Sequence, residues 1–185
     1  MTGRTHDLTS FTALSLTLVY TTIPDMSLAT AVAALGACFI GGLAPDIDQP
    51  TADLYRRLPA GTVIARLVSP ILGGHRFISH SLLGVLLFGW ILKLLLVAMQ
   101  SIILVDSGII WTAFMIGYVA HLLVDMLTKE GVPWLFPIPF AFGIPPIQAM
   151  RIRTGEFIEK SVIFPSLLAY NNFSMCSIIP VFSGS

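Results

Sequence analysis

The 185-residue chain is short of charge: Asp, Glu, Lys and Arg make up 11% of it, less than half the roughly 25% of soluble domains. With 55% hydrophobic residues and a mean hydropathy of +0.85, that scarcity excludes a disordered chain and an ordinary water-soluble globule. An excess of either sign is also lacking. Ten basic residues balance ten acidic ones, which excludes a basic nucleic-acid-binding module. Cysteine is nearly absent, and Cys38 and Cys176 fit no metal-binding or redox spacing, so both read as small buried side chains. No internal repeat, low-complexity tract or shift in composition divides the chain, and a single integral-membrane domain over 1–185 is expected.

What the chain does have is long apolar runs. A helix crossing the hydrocarbon needs about 20 mainly apolar residues, and runs of that order lie at 8–23, 26–43, 82–105 and 108–127. A fifth, 162–182, is interrupted by Pro165, Asn171, Asn172 and Pro180, and a helix lying at the membrane interface is its alternative. The predicted fold is therefore all-α, a polytopic transmembrane bundle of four to five spans with long loops. The start of the chain, Met1 to His6 followed by apolar residues from Leu8, lacks a small-x-small cleavage site and reads as an uncleaved first helix. Placed on this topology, Arg4, Arg56, Arg57, Arg66, Arg76, Lys129, Arg151, Arg153 and Lys160 fall on one side. By the positive-inside rule that side, with the N-terminus and both long loops, is cytoplasmic. Lys93 lies within the third span, where snorkelling accounts for it and a functional intramembrane charge is the alternative.

The same topology brings the imidazoles and several carboxylates to one leaflet. His6 precedes the first span, and Asp46 and Asp48 close the second behind Pro45. His75 and His80 open the third, His121 and Asp125 lie near the end of the fourth, and Glu159 precedes the fifth. Taken singly, each has an ordinary explanation. Residues four apart share a helix face, so His121 and Asp125 can be a simple helix-terminal pair. Asp after a helix-stopping proline is turn chemistry, and His80 can belong to a helix N-terminus capped by Ser79. Their joint location is far less ordinary. Imidazoles and carboxylates without thiolates are a ligand set for a hydrolytic divalent ion, zinc or manganese foremost and iron as a further choice. Arg76 suits a phosphate or carboxylate group, or a lipid headgroup. The stretch 131–146, rich in proline and aromatics, reads as an irregular interfacial loop.

Three ordered motifs carry a family likeness: Leu43-Ala44-Pro45-Asp46-Ile47-Asp48, His75-Arg76-Phe77-Ile78-Ser79-His80-Ser81, and Gly117-Tyr118-Val119-Ala120-His121-Leu122-Leu123-Val124-Asp125, followed by Gly131-Val132-Pro133-Trp134-Leu135-Phe136-Pro137. From about His6 to Glu159 the sequence resembles the bacterial YdjM-like family of inner-membrane metal-dependent hydrolases. The resemblance implies a small multi-pass protein of the bacterial inner membrane. It matches His6, Asp46, Asp48, His75, His80, His121 and Asp125 to the polar motif positions, and Glu159 to an acid after a Thr-Gly pair. Ser79 stands where the family usually has Thr, a hydroxyl for a hydroxyl.

The expected function is a metal-dependent hydrolase at the cytoplasmic edge of the bilayer, acting on a lipid or phosphoester. Asp46, Asp48, His75, His80, His121 and Asp125 are the expected ligands. His6 is a further ligand or an acid/base, Arg76 a substrate clamp, and Glu159 a base or supporting group. Membrane lipids are the expected partners, and nucleic acid is not. Two alternatives share the residues: a divalent-metal transporter or sensor, and a structural membrane protein with a polar tether. Transporters usually place sites at the midplane between inverted repeats, whereas these residues gather at one edge and no repeat is visible.

Overall fold

The computed structural model describes residues 1–21, 26–49, 77–138 and 140–183, with side chains through Ser174, and the separate positions 55, 61, 63 and 65–67. His75, Arg76, Arg56 and Arg57 lie outside the described residues, as does the side chain of Cys176. The described chain is all-helical, without a strand: α1 (Gly3–Tyr20), α2 (Leu28–Leu43), α3 (Leu82–Met99), α4 (Ser107–Met126) and α5 (Phe164–Ser183). Leu28–Asp48, Leu82–Met99 and Ser107–Met126 are long and apolar enough to cross a membrane.

Helix α1 turns polar side chains inward. Its buried residues are Thr5, His6, Ser10, Thr12 and Ser15, while Leu16 and Val19 are exposed. Such an inside-out helix suits a surrounding of lipid. Its hydroxyls of Thr9, Ser10, Thr12 and Thr17 each donate to the carbonyl four residues earlier, so they need no water. The helix starts at Gly3, earlier than the apolar run at 8–23, and His6 lies inside it rather than before it. Glu159 makes the early start feasible by accepting from the Thr2 amide and the Thr2 and Thr5 hydroxyls.

Small residues bring α2 and α4 backbone to backbone. A methyl group on Gly41 would collide with the carbonyl of Phe114, and one on Gly117 with that of Cys38. Association by close van der Waals approach is what remains when lipid tails are as apolar as the helix faces. Cys38, a buried free thiol, donates to the Ser10 carbonyl across the α1–α2 contact. Ser27 caps α2 by accepting from the Thr30 amide, and Pro45 ends it in a 3₁₀ turn over Ala44–Asp48.

Helix α3 is capped by Ser81, which accepts from the Gly84 amide, not by Ser79 as the sequence suggested. It ends at Met99, short of the run to 105. Asp106 caps α4 through the amides of Gly108 and Ile109. Trp111 ties the two helices together by donating to the Gly89 carbonyl, and Phe88, Phe114 and Tyr118 pack beside it. The outward face of α3, including Leu86, Trp90, Leu94 and Leu95, is exposed. Lys93 is exposed as well and lines a cavity of about 300 Å³ with Ser107, Trp111 and Thr112.

After α4 the chain runs through the irregular segment expected at 131–146. Paired amide–carbonyl bonds between Val132 and Phe142 close it, and Arg151 donates to the carbonyls of Pro145 and Pro146. Leu135, Ile138, Phe140, Ile144 and Ile147 remain exposed on it. A π-helical turn, Glu159–Ile163, leads into α5, where Pro165 sits in the first turn and interrupts nothing. Asn171 then bonds α5 to α1 through Thr12 Oγ1, at 2.8 Å.

Candidate metal centre

Four helix ends meet at one end of the bundle, and each contributes side chains there. The 3₁₀ turn after α2 carries Asp46 and Asp48. Tyr55 fixes that turn by donating to the Ile47 carbonyl between them. His80 sits in the turn before α3, His121 and Asp125 share one face of α4, and His6 comes from α1. His6, Asp48, His80, His121 and Asp125 are buried, whereas the Asp46 side chain retains 23% exposure, so the cluster reaches the surface on the Asp46 side.

The centre of the cluster is a ring of four donor atoms. His80 Nε2 lies 3.8 Å from Asp46 Oδ1 and 3.6 Å from Asp125 Oδ2. His121 Nε2 lies 3.7 Å from the same Asp46 oxygen and 3.8 Å from the same Asp125 oxygen. These separations are too long for hydrogen bonds. Each is somewhat longer than the edge, about 3.4 Å, of a tetrahedron with metal–ligand bonds of about 2.0–2.2 Å. Among the described residues, Nε2 of His121 has no hydrogen-bond partner. Imidazole and carboxylate donors of this kind suit a divalent ion by their chemistry.

The other atoms of these side chains are held in place. His121 Nδ1 lies 2.6 Å from the Gly42 carbonyl, so Nδ1 carries the proton and Nε2 presents its lone pair. His80 Nδ1 faces Asp48 Oδ2 at 3.5 Å and the Ser79 hydroxyl at 3.1 Å. Ser79 donates to the same Asp48 oxygen, and Tyr118 donates to the Ser79 carbonyl. Burial opposes protonation of His80. The carboxylates of Asp125 and Asp48 outweigh it, and the pKa stands above the ordinary 6.5.

His6 forms a second tier. Its Nε2 is 3.3 Å from Asp125 Oδ1, and its ring stacks on that of His121 with centroids 3.7 Å apart. The Met1 nitrogen is 2.8 Å from the same Asp125 oxygen. His6, His121 and Asp125 make one group able to hold an ion, and Asp46, His80 and His121 make another. Glu159 is placed apart from this ring, under the start of α1. Oε1 takes the three donors from Thr2 and Thr5, and Oε2 accepts from the Gly155 amide. Burial raises its pKa, but these four donors prevail and hold it at about 2.

Of the residues singled out by sequence, the structure brings His6, Asp46, Asp48, His80, His121 and Asp125 together, puts Glu159 beneath α1, and leaves His75 and Arg76 outside the described residues. It adds Ser79, Tyr118 and the Gly42 carbonyl as supports. Ser79 stood next to His80 in the motif and was read as a cap; a backbone carbonyl has no sequence signal at all.

These features first define a class: a helical protein with three helices, among the described residues, long and apolar enough to cross a membrane, and a buried His/Asp cluster that could hold a metal ion. The chain belongs to the YdjM inner membrane protein family, matching it over residues 1–182. It is 30% identical over 169 residues to the "uncharacterized protein YvsG" of Bacillus subtilis (strain 168), an alignment covering 91% of each chain. It is also 36% identical over 121 residues to the inner membrane protein YdjM of Escherichia coli (strain K12), covering 65% of this chain and 56% of that protein. The Shigella flexneri protein of the same name matches to the same extent. No solved structure shows a significant match.

Proposed function

We propose that the protein is a multi-pass enzyme of the bacterial inner membrane, its N-terminus cytoplasmic, that hydrolyses a lipid or phosphoester with a divalent metal ion. The observation that supports this best is the ring of two imidazole nitrogens and two carboxylate oxygens at 3.6–3.8 Å. Asp46, His80, His121 and Asp125 would hold the ion, with zinc or manganese preferred and iron a third choice. When bound, such an ion polarises a carbonyl or phosphoryl oxygen and lowers the pKa of water toward about 7.

The protein's own contribution is orientation and proton handling. Asp48 and the Gly42 carbonyl fix the two imidazoles from behind. His6 shares Asp125 through Nε2, and its buried Nδ1 has no hydrogen-bond partner among the described residues. That leaves Nδ1 able to hold or pass a proton, the acid/base role given to His6. Asp46, the one partly exposed ligand of the four, marks the side from which substrate approaches. Arg76, one residue beyond His75, is the proposed clamp for the substrate's anionic group. Glu159, with four donors on its carboxylate, is a positioning residue for α1 and His6.

The test is purification in detergent, elemental analysis, and assay against ester and phosphoester substrates beside Asp46→Ala, His80→Ala and His121→Ala. Metal bound near one-to-one and turnover, both lost in the variants, is the expected result. Bound metal lost in the variants without turnover of any ester would shift the reading to metal transport or sensing. Metal-free protein in every preparation would sink both.

A further inference from the structure

Residues 2–5, between Met1 and His6 in the chain, line a second space. Thr2, Gly3, Arg4 and Thr5 of the α1 start face Glu159, Lys160 and Phe164 across a cavity of about 540 Å³. Its charges are unbalanced. Arg4 and Lys160 come from opposite ends of the sequence, and neither makes an ion pair among the described residues. The one acid lining it, Glu159, is buried, and both of its oxygens are engaged by Thr2, Thr5 and Gly155. A guanidinium and an ammonium are therefore left facing a cavity large enough for a small anion, with Phe164 as its apolar wall.

The surroundings say what carries the anion. Phe157 and Ile158 before the π-helical turn, Val162 within it and Leu168 on α5 are exposed and flank in sequence the cavity's Glu159, Lys160 and Phe164, an apolar surface that a soluble anion does not need and an acyl chain does. Basic pockets at the ends of membrane helices attract anionic headgroups, and Arg adds a planar fork matched to phosphate oxygens. We propose that this cavity binds the phosphate group of an anionic lipid, with Arg4 and Lys160 as its two contacts and the acyl chain lying along α5. The inference stands apart from the metal reading, since no residue of the four-atom ring lines the cavity.

The test titrates phosphatidylglycerol, with phosphatidylcholine as the neutral comparison, into the full chain in detergent, followed by native mass spectrometry. R4Q/K160Q should weaken phosphatidylglycerol binding by about tenfold or more, since each base near a headgroup contributes about fivefold. K129Q/R153Q removes the same charge from residues that do not line the cavity and should change binding less than about twofold. Metal content, read on the same preparations, should be unchanged in R4Q/K160Q. Should that double variant misfold, K160Q alone on the exposed turn should still cost about fivefold. Inorganic phosphate serves as the second arm. Displacement of the lipid by millimolar phosphate would confirm the phosphate group as the recognised element. Retention of phosphate with indifference between the two lipids would overturn the lipid as its source. Equal losses in both double variants, or none in either, would overturn the site.

Discussion

The imidazole of His121 on α4 reaches across to the backbone of α2 and bonds the Gly42 carbonyl through Nδ1, at 2.6 Å. That contact sets which ring nitrogen is free, and it ties the ligand geometry to the α2–α4 packing that Gly41 and Gly117 permit.

It also suggests a substitution that separates binding from folding. Asparagine places its amide nitrogen near the position of Nδ1, so His121→Asn keeps a donor for Gly42 while deleting Nε2. We expect a thermal midpoint close to wild type, with metal affinity reduced on the order of 100-fold. Differential scanning fluorimetry and elemental analysis on the same sample measure both. A full metal complement in His121→Asn would remove His121 from the ligand set.

Ser79 offers a milder test of the supports. Its hydroxyl donates to Asp48, which faces His80 Nδ1, so Ser79→Ala removes one of the groups that hold the carboxylate against the ring. The expected effect is a loss of about 10–100-fold in metal affinity. Ser79→Thr, which retains the hydroxyl, should bind metal within about threefold of wild type. Chelator competition reads both, and equal affinity for the two variants would show that Asp48 does not act through Ser79.

How far the sequence discloses this arrangement depends on the kind of interaction. Pro45 marks the end of α2, and the apolar runs locate α2 and α4 to within two residues but overrun the end of α3, because a missing amide is a local property and hydropathy alone sets no stop. His121 and Asp125 were legible as a pair from their spacing alone. The start of α1 was not, since what allows a helix among Thr2 to His6 is Glu159, more than 150 residues away. Nor does hydropathy say which face of α1 turns inward: in lipid the apolar face can point outward, and here Ser10 and Ser15 are buried. The support given by Asp48 to His80 depends on a turn geometry that the Asp-x-Asp spacing leaves open.

Close packing of α2 and α4 should be intolerant of a single methyl group. The ideal Cβ of an alanine at 117 falls on the Cys38 carbonyl, a rigid backbone atom with no side-chain freedom to yield. Gly117→Ala should destabilise the protein by about 1–3 kcal/mol or more. It should reduce metal binding too, as α4 shifts away from Gly42. Gly36→Ala on the same α2, where the added carbon meets nothing within 4 Å, is the control and should leave stability unchanged or slightly raised. Unfolding in detergent, followed by circular dichroism, checks the contrast, and equal midpoints for the two variants would refute backbone-to-backbone packing.

Acid should weaken the α1 anchor only below about pH 4.5. Glu159 is ionised in the fold with a pKa of about 2, against an ordinary value of 4.5. Its pKa is depressed, so its contribution is fully present above pH 4.5 and declines as pH falls from there toward about 2, where the folded carboxyl takes up its proton. Glu159→Gln removes the charge at every pH and puts an amide nitrogen in place of one carboxylate oxygen, so that either Thr2 and Thr5 or Gly155 lose their acceptor. The wild-type midpoint should therefore exceed that of the variant by a constant amount between pH 5 and 7. The gap should close between pH 4.5 and about 2. Thermal melts of both proteins across that range measure it. A gap that closes above pH 5 instead would mean that Glu159 is not held by these donors and that α1 is anchored by other contacts.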